Sequence, residues 1–558
     1  MENSSEFSAA RLTLTLMTSR LAAPPATPLP TRAGLRSSRW WAAASGVVAL
    51  AAFLGSAEAV AVVVGARSSP LIAVGGAVID LAPPAAKNVM VDLFGTGDKA
   101  ALFVLMGVLL VVITAAAGIL ERARFPFGRL VFALGGVLAI FAVRTRADAS
   151  DFDVVPAAVG TVVAILVLRA LIGKLFRWDA ASRSQSGGSE NAELRPPLRS
   201  TPLERRSFLL VTFVAAAASV VVGSGARLIN ATAVNAAALR DSVRLPRPAT
   251  AASAVPSGAS LDVAGITSYV TPSADFYRID TALSVPQIDP AKWSLEISGL
   301  VDTPVTLTWQ QLLDLPLVEH MATLSCVSND VGGDLIGNAL WLGYPIRELL
   351  KRAGVQESAD MVLSTSIDGF TAGTPLSVLQ DSQTQALLAI GMNGEPLPVE
   401  HGFPVRMVVP GLFGYVSATK WVTSLRVTRF ADEKAYWSTR GWDEKGPVKL
   451  ESRIDTPSGG ASVAVGAVPI AGVAWEPHTG VERVEVRIDS GAWQTAELAD
   501  SVSDDTWRQW VYRWQAQAGN HRIQVRATSK DGRVQKAKYL PPAPNGAEGW
   551  DEVTVTVA

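Results

Sequence analysis

The sequence is poor in the residues that build cross-links and metal centres. One cysteine in 558 residues excludes an internal disulfide framework and any metal site made from several thiolates. Histidine is almost as scarce: the four are His320, His401, His478 and His521, so no imidazole precedes residue 320. Charged residues make up only 18%, and the 49 basic residues nearly balance the 50 acidic ones, for a formal net charge of -1. The basic footprint of a nucleic-acid binder is therefore missing. Scarce charge together with a mean hydropathy of +0.27 argues against disorder and for membrane-spanning segments.

What the chain does contain falls into two materials that meet near residue 230. Residues 41–66 are apolar except for Glu58, 100–120 carry no charge, 125–143 carry only Arg129, and 154–173 hold the single charge of Arg169. A fifth run, 207–226, is uncharged for about 20 residues, enough to cross the hydrocarbon core. Five spans are expected. Arg11, Arg20, Arg32, Arg36 and Arg39 precede the first, Arg122 and Arg124 separate the second from the third, and Arg169, Lys174 and Arg177 close the fourth. By the positive-inside bias these ends face the cytoplasm, and an odd number of crossings puts everything after residue 230 outside.

Residues 177–206 have the Ser, Gly, Pro and charge of a linker. They end in Glu204-Arg205-Arg206 before Ser207-Phe208-Leu209-Leu210, which resembles a twin-arginine export signal with departures at Glu204 and Leu210; two arginines flanking an ordinary helix are the alternative. Residues 230–261, rich in Ala, Pro and Ser, read as a tether. From there the pattern is globular. Residues 294–298 alternate as a strand, Thr308 and Gln311 form a capping box, and Pro345 and Gly354 bracket a short helix. From 448 onward, alternating runs such as 481–488 and 521–527 are separated by turns such as Asp489-Ser490-Gly491, the rhythm of an immunoglobulin-like sandwich. The expected order is a cytoplasmic tail (1–40), a four-span α-helical membrane region (41–176), a cytoplasmic linker (177–206), a fifth span (207–229), a tether (230–261), an α+β domain (262–447) and an all-β immunoglobulin-like sandwich (448–558).

The lone Cys326 sits in Leu324-Ser325-Cys326-Val327-Ser328-Asn329-Asp330, between a β-type run and a glycine-containing loop. A thiolate so placed can ligate a soft metal or act as a nucleophile, although a lone cysteine is more often a small buried hydrophobe. Its surroundings decide. FYRIDTALSVPQIDPAKWSLEISG, LSCVSND followed by GNALWLGYPIRELLKRAGV, HGFPVRMVVPGLFGYVSATKWV and, later, IAGVAWEPHTGVERVEVRIDSGAWQTAEL resemble, in order, the sulfite oxidase family of molybdenum enzymes, over about residues 262–558.

The resemblance implies a molybdenum-molybdopterin cofactor with Cys326 as protein ligand to the metal. It implies pterin contacts from His401 and Arg406 in HGFPVR, from Tyr277 and Arg278, from Asn329 in the CxxN segment, and from Ser417, Thr419 and Lys420. Arg406 suits a phosphate because its planar fork donates bidentately. Asp368, in Asp368-Gly369-Phe370, matches a turn near the metal where a polar side chain faces substrate; an ordinary Asp-Gly turn is the alternative.

One departure is informative. Asp330-Val331 stand where sulfite-oxidising relatives carry bases, so a small dianion would meet a carboxylate. The expected activity is thus a membrane-anchored oxygen-atom transfer outside the cytoplasmic membrane, reduction of a neutral S-oxide or N-oxide, with a sulfite oxidase-type dehydrogenase as the alternative. Expected partners are a small-molecule substrate, a separate electron carrier such as a membrane redox protein, and the membrane. No nucleic acid is expected; a homodimer through the C-terminal domain is one assembly the resemblance allows. No haem is expected, for want of histidine in the membrane half. Two readings of other classes compete, a membrane-tethered adhesion protein and a transporter with an external sensor; against the second, the spans 100–120 and 207–226 lack the ionisable residues that mark transport pathways.

Overall fold

The structure is a computed structural model that describes residues 32–65, 68–82, 93, 98–145, 150–186, 206–219, 221, 236–282 and 285–558. The expected tail residues 1–31, the linker stretch with Glu204 and Arg205, and the tether residues 230–235 lie outside the described residues.

Among the described residues four helices are long and apolar enough to cross a membrane: α1 (Arg32–Val64), α3 (Asp98–Ala123), α4 (Phe127–Arg144) and α5 (Val155–Ser186). They coincide with the first four charge-poor runs. The described residues also include two shorter apolar helices, α2 (Pro70–Leu81), which lies outside the five charge-poor runs, and α6 (Arg206–Ser219). At about 1.5 Å per residue, the described part of α6 is too short to cross about 30 Å of hydrocarbon; most of the rest of the expected fifth run lies outside the described residues. Small residues let helices approach closely: a methyl group on Gly46 would strike the Thr114 carbonyl, and one on Gly118 the Ala42 carbonyl, the packing that apolar helices use where water gives no driving force. Polar and aromatic contacts gather around Arg122, Lys174 and the start of α6. Arg122 pairs with Asp179 at 2.5 Å, Lys174 donates to the Ser207 hydroxyl at 2.7 Å, and Trp41, Trp178 and Phe208 pack ring against ring.

After helix α7 (Ala236–Ser242), residues 243–275 were expected to be partly tether and are instead a strap bonded at both ends. Ala249 N–H donates to the Leu317 carbonyl, Leu261 N–H to the Gln509 side chain, and the Trp507 indole to the Tyr269 carbonyl. Ala, Pro and Ser composition cannot distinguish a free tether from a strap whose partners lie far along the chain.

The α+β part is built on two sheets. One is ordered β2 (Val305–Thr308), β1 (Ser294–Gly299), β10 (Val422–Thr428), β5 (Met361–Ser366), β6 (Thr371–Pro375), with β1 and β10 parallel. The other runs β3 (Val318–Ser325), β4 (Ile336–Pro345), β7 (Leu387–Met392), β8 (Glu395–Pro396), with β9 (Arg406–Val408) pairing to β7. Their shared core holds Leu295, Ile297, Val362, Leu388, Ile390 and Leu425, while Leu387 and Ala389 face a second cluster with Phe276, Trp341 and Phe403. Both faces of β7 are thus covered, which is why its sequence is an unbroken apolar run. The short helices sit where their caps predict. Thr308 and Gln311 exchange the two capping-box bonds, and Gly354 ends Ile346–Ala353 at φ 68, in the left-handed region.

The last part is a sandwich of two sheets: one runs β11 (Glu451–Thr456), β13 (Gly466–Trp475), β17 (Arg508–Ala516), β16 (Glu497–Leu498), and the other β12 (Ser462–Val463), β19 (Asp551–Val557), β18 (Gly519–Ser529), β14 (Val481–Ile488), β15 (Gln494–Thr495). Ile470 and Trp510 from one sheet meet Val484, Val486, Ile523 and Val555 from the other. In Val481–Ile488 the side chains of Val481, Val484 and Val486 are buried, Glu482 and Arg483 are exposed, and Glu485 and Arg487 are half-buried, the alternation of a strand with one face on a core.

Candidate functional site

Cys326 follows directly on β3, where the chain leaves the sheet and folds into a tight loop. Its N–H donates to the Leu335 carbonyl at 2.9 Å, its carbonyl accepts from Asn329 N–H at 3.1 Å, and its Sγ accepts from Ser328 N–H at 3.4 Å. Asn329 locks the loop by accepting from Leu335 N–H at 2.8 Å, which leaves its buried Nδ2 without a partner. Burial pushes the Cys326 thiol pKa up, and the bond from Ser328 draws it partly back.

The thiol opens into a cleft of about 900 Å³ of empty space. Tyr277, Cys326, Asp368, His401, Arg406 and Lys420 line it together, brought from segments scattered over more than a hundred positions. The inner wall is polar and buried. Arg406 lies on β9 with its guanidinium 5.1 Å from the Trp341 ring, donating to the carbonyls of His401 and Met407. Among the described residues no carboxylate pairs with it. Burial lowers its pKa to about 10. His401, edge-on to Phe276 at 5.7 Å, is held to a pKa of about 3 by burial and by Arg406 and Lys420, so its ring is neutral. Lys420 donates to Asp280 Oδ2 at 2.8 Å and to the Glu400 carbonyl at 3.0 Å; burial nevertheless lowers its pKa to about 8. Tyr277 stacks on Phe276 at 5.2 Å, and burial raises its pKa.

Arg278, Asn329, Ser417 and Thr419 surround the cleft without lining it. Arg278 donates to Asp280 Oδ2 at 3.1 Å and is partly exposed. Ser417 gives its hydroxyl to the Leu412 and Phe413 carbonyls, and Thr419 shares a 2.7 Å bond with Ser364, so both side chains are engaged by protein. Asp368 is exposed at the rim, where its carboxylate accepts from Phe370 N–H.

The mouth was not legible in the sequence. Phe370, Tyr415, Trp437 and Trp442 line it, with Trp437 and Trp442 ring to ring at 6.1 Å and Trp442 against Tyr415 at 5.9 Å. The only hint was the density of aromatics in Tyr436-Trp437-Ser438-Thr439-Arg440-Gly441-Trp442. Asp330, expected to confront the substrate, turns elsewhere: its Oδ2 accepts from the Tyr539 hydroxyl at 3.0 Å, and it is absent from the cleft lining. The anionic barrier inferred from its sequence position is therefore not part of the cleft wall.

The donors suit a large anionic cofactor anchored by one thiolate. A buried guanidinium without a carboxylate, an ammonium and an unsatisfied amide nitrogen all lie around the single cysteine. Among the described residues no cluster of three His, Cys, Asp or Glu side chains could hold a metal unaided, so a metal here needs ligands beyond the protein.

Residues 282–437 match the oxidoreductase molybdopterin binding domain. The chain is 32% identical over 292 residues to the mitochondrial sulfite oxidase of Homo sapiens, covering 45% of this chain and 53% of that one. It is 34% identical over 158 residues to an oxidoreductase, YuiH, of Bacillus subtilis, covering 28% of this chain and 76% of that one. Among solved structures it is similar to the sulfane dehydrogenase SoxCD of Paracoccus pantotrophus, at 23% identity and a TM-score of 0.46 over 52% of this chain and 84% of that one. The chain spans about half the length of the mammalian sulfite oxidases it matches.

Proposed function

The chain belongs to the sulfite oxidase family of molybdopterin-dependent oxidoreductases, and we propose that it is a membrane-anchored enzyme that reduces a neutral S-oxide or N-oxide outside the cytoplasmic membrane. The aromatic mouth carries this reading. A substrate reaching Cys326 passes Phe370, Tyr415, Trp437 and Trp442 with Asp368 beside them. Ring faces and a carboxylate favour the positively polarised sulfur or nitrogen of an oxide and oppose a dianion.

Cys326 is the protein ligand to molybdenum, and the bound cofactor supplies two-electron oxygen-atom transfer. Arg406 and Lys420 neutralise the cofactor's phosphate, Arg406 through its bidentate fork. Neutral His401 and Tyr277 offer hydrogen bonds to the pterin, with Arg278, the orphaned Asn329 nitrogen and the backbone around Ser417 and Thr419 closing the rim. Asp368 orients the substrate at the mouth.

The remaining assignments complete this reading. The domains follow the boundaries 41–176, 207–229, 262–447 and 448–558, and the last is immunoglobulin-like. The apolar helices anchor the enzyme, with 207–229 as a fifth crossing, Arg205-Arg206 as its export signal and the catalytic half outside. Electrons come from a separate carrier, because no histidine before His320 is present to hold a haem; dimerisation, where it occurs, uses the C-terminal domain.

A second reading has its own support: the inner wall is cationic and Asp330 faces away, so sulfite oxidation, the activity named for the human relative, remains the competitor. Steady-state assays on the detergent-solubilised full chain separate the two. Turnover of a neutral oxide with a reduced dye should exceed turnover of sulfite with an oxidised dye; a specificity constant for sulfite of about 10⁴ M⁻¹s⁻¹ or more, with oxides inert, reverses the assignment.

A further inference from the structure

Strand β3 is the edge of its sheet, and Cys326 is the next residue. An edge strand has one row of backbone groups with no partner in the sheet, so whatever occupies that row sets where the strand ends. Here the occupants come from outside the sheet. Glu319 N–H donates to the Thr250 carbonyl of the strap, and Thr323 N–H donates to the Asp505 carbonyl of the sandwich, each at 2.9 Å. The Thr323 hydroxyl accepts from Trp507 N–H at 2.8 Å.

The Asp505 side chain adds a second link. Its Oδ2 lies 2.7 Å from His320 Nε2 on β3, and its Oδ1 lies 2.7 Å from His478 Nδ1, whose Nε2 is 2.9 Å from the Pro410 carbonyl of the α+β part. Three of the four histidines in the chain lie outside the cleft, and this one carboxylate engages two of them.

We infer that Asp505, held between His320 and His478, is a positioning residue through which the C-terminal sandwich fixes β3 and the cysteine at its end, and that this hold loosens as pH rises. Burial alone would raise the Asp505 pKa, but bonds from both imidazoles overturn that and bring it to about 2. Hydrogen bonding to Asp505, against the cost of burial, holds His478 above its ordinary 6.5. The carboxylate therefore contributes fully above about its ordinary 3.8 and fails as pH falls through about 2. The imidazolium contributes fully below 6.5 and fails as pH climbs through its raised value. Other charges near the group are Asp381, which also favours imidazolium at His478, the Glu476–Arg533 pair at 2.7 Å, whose guanidinium also meets Asp531 at 2.7 Å, and the Lys530–Asp504 pair at 2.6 Å. On β3 itself, Glu319 accepts from Ala252 N–H of the strap.

The test is hydrogen–deuterium exchange on the cofactor-loaded full chain, at pH 6 and pH 8.5, corrected for intrinsic exchange. Peptides covering 318–326 should lose protection several-fold at the higher pH, while peptides covering 387–392, in the middle of the same sheet, should not. Asp505→Asn should show the weak protection at both pH values. His478→Gln, combined with His320→Gln, should flatten the response and decides the matter alone if Asp505→Asn does not fold. Protection of 318–326 that is equal at both pH values in the unmodified protein, or a pH response that survives in the double glutamine variant, overturns the inference.

Discussion

The inner wall of the cleft and its mouth lie side by side and are made of opposite materials. The wall carries Arg406, Lys420 and neutral His401, all buried; the mouth carries Phe370, Tyr415, Trp437 and Trp442 around an exposed acid. Buried cations without enough counter-charge are costly to keep, so the wall makes sense only with an anion in place. Aromatic faces carry no net charge that needs a counter-ion, and they attract positively polarised groups. The contrast teaches that the charge of the wall belongs to the cofactor and says little about the substrate, whose character is written in the rim.

The sharpest way to break this division is Cys326→Ser. Turnover should vanish while circular dichroism and melting of the chain stay near those of the unmodified protein; retained activity would remove the metal ligand from the wall. Next is Arg406→Met. Cofactor retention should fall tenfold or more, about 1.4 kcal/mol at least, while the cofactor-free protein melts higher because an unpaired buried charge is gone. A lower melting point of that cofactor-free variant would mean that the guanidinium serves the fold instead.

At the mouth the effects should be smaller and confined to substrate. Trp437→Ala should raise KM for a neutral oxide several-fold, consistent with about 1 kcal/mol for an aromatic contact, with kcat and molybdenum content unchanged; equal losses in kcat would place Trp437 in the wall. The smallest effect concerns protons. Lys420, lowered to about 8 when folded from an ordinary 10.5, binds fewer protons folded than unfolded between those values. Stability of the cofactor-free protein should therefore rise with pH across that window relative to Lys420→Met. Parallel calorimetric curves for the two would show that the ammonium is not desolvated.

Parts of this arrangement were legible early because their physics is local. The Thr308–Gln311 box and the Gly354 cap depend on residues within one helical turn, and the first four apolar helices announced themselves by length without charge. Arg406 and His401 were read from a contiguous motif and do line one cleft with Cys326. The strap over 243–275, the turn of Asp330 towards Tyr539, and the aromatic mouth were not legible, since each depends on a partner well beyond one helical turn for which no spacing rule exists.

By itself, then, the amino-acid order determined the apolar helices, the strand alternation of the sandwich, the scarcity of ligands that leaves Cys326 as the sole thiol, and the family motifs around it. The helices, the alternation and the scarcity follow from periodicity and composition, which act within a few residues, and the motifs speak only through their resemblance to the family. The tertiary structure alone decided which side chains share the cleft, which way the acid after the cysteine loop points, and that Asp505 and Trp507 of the sandwich complete the edge of β3. The direction of a side chain and the partner of an edge strand are settled by packing among distant segments, and only the folded chain brings those segments together.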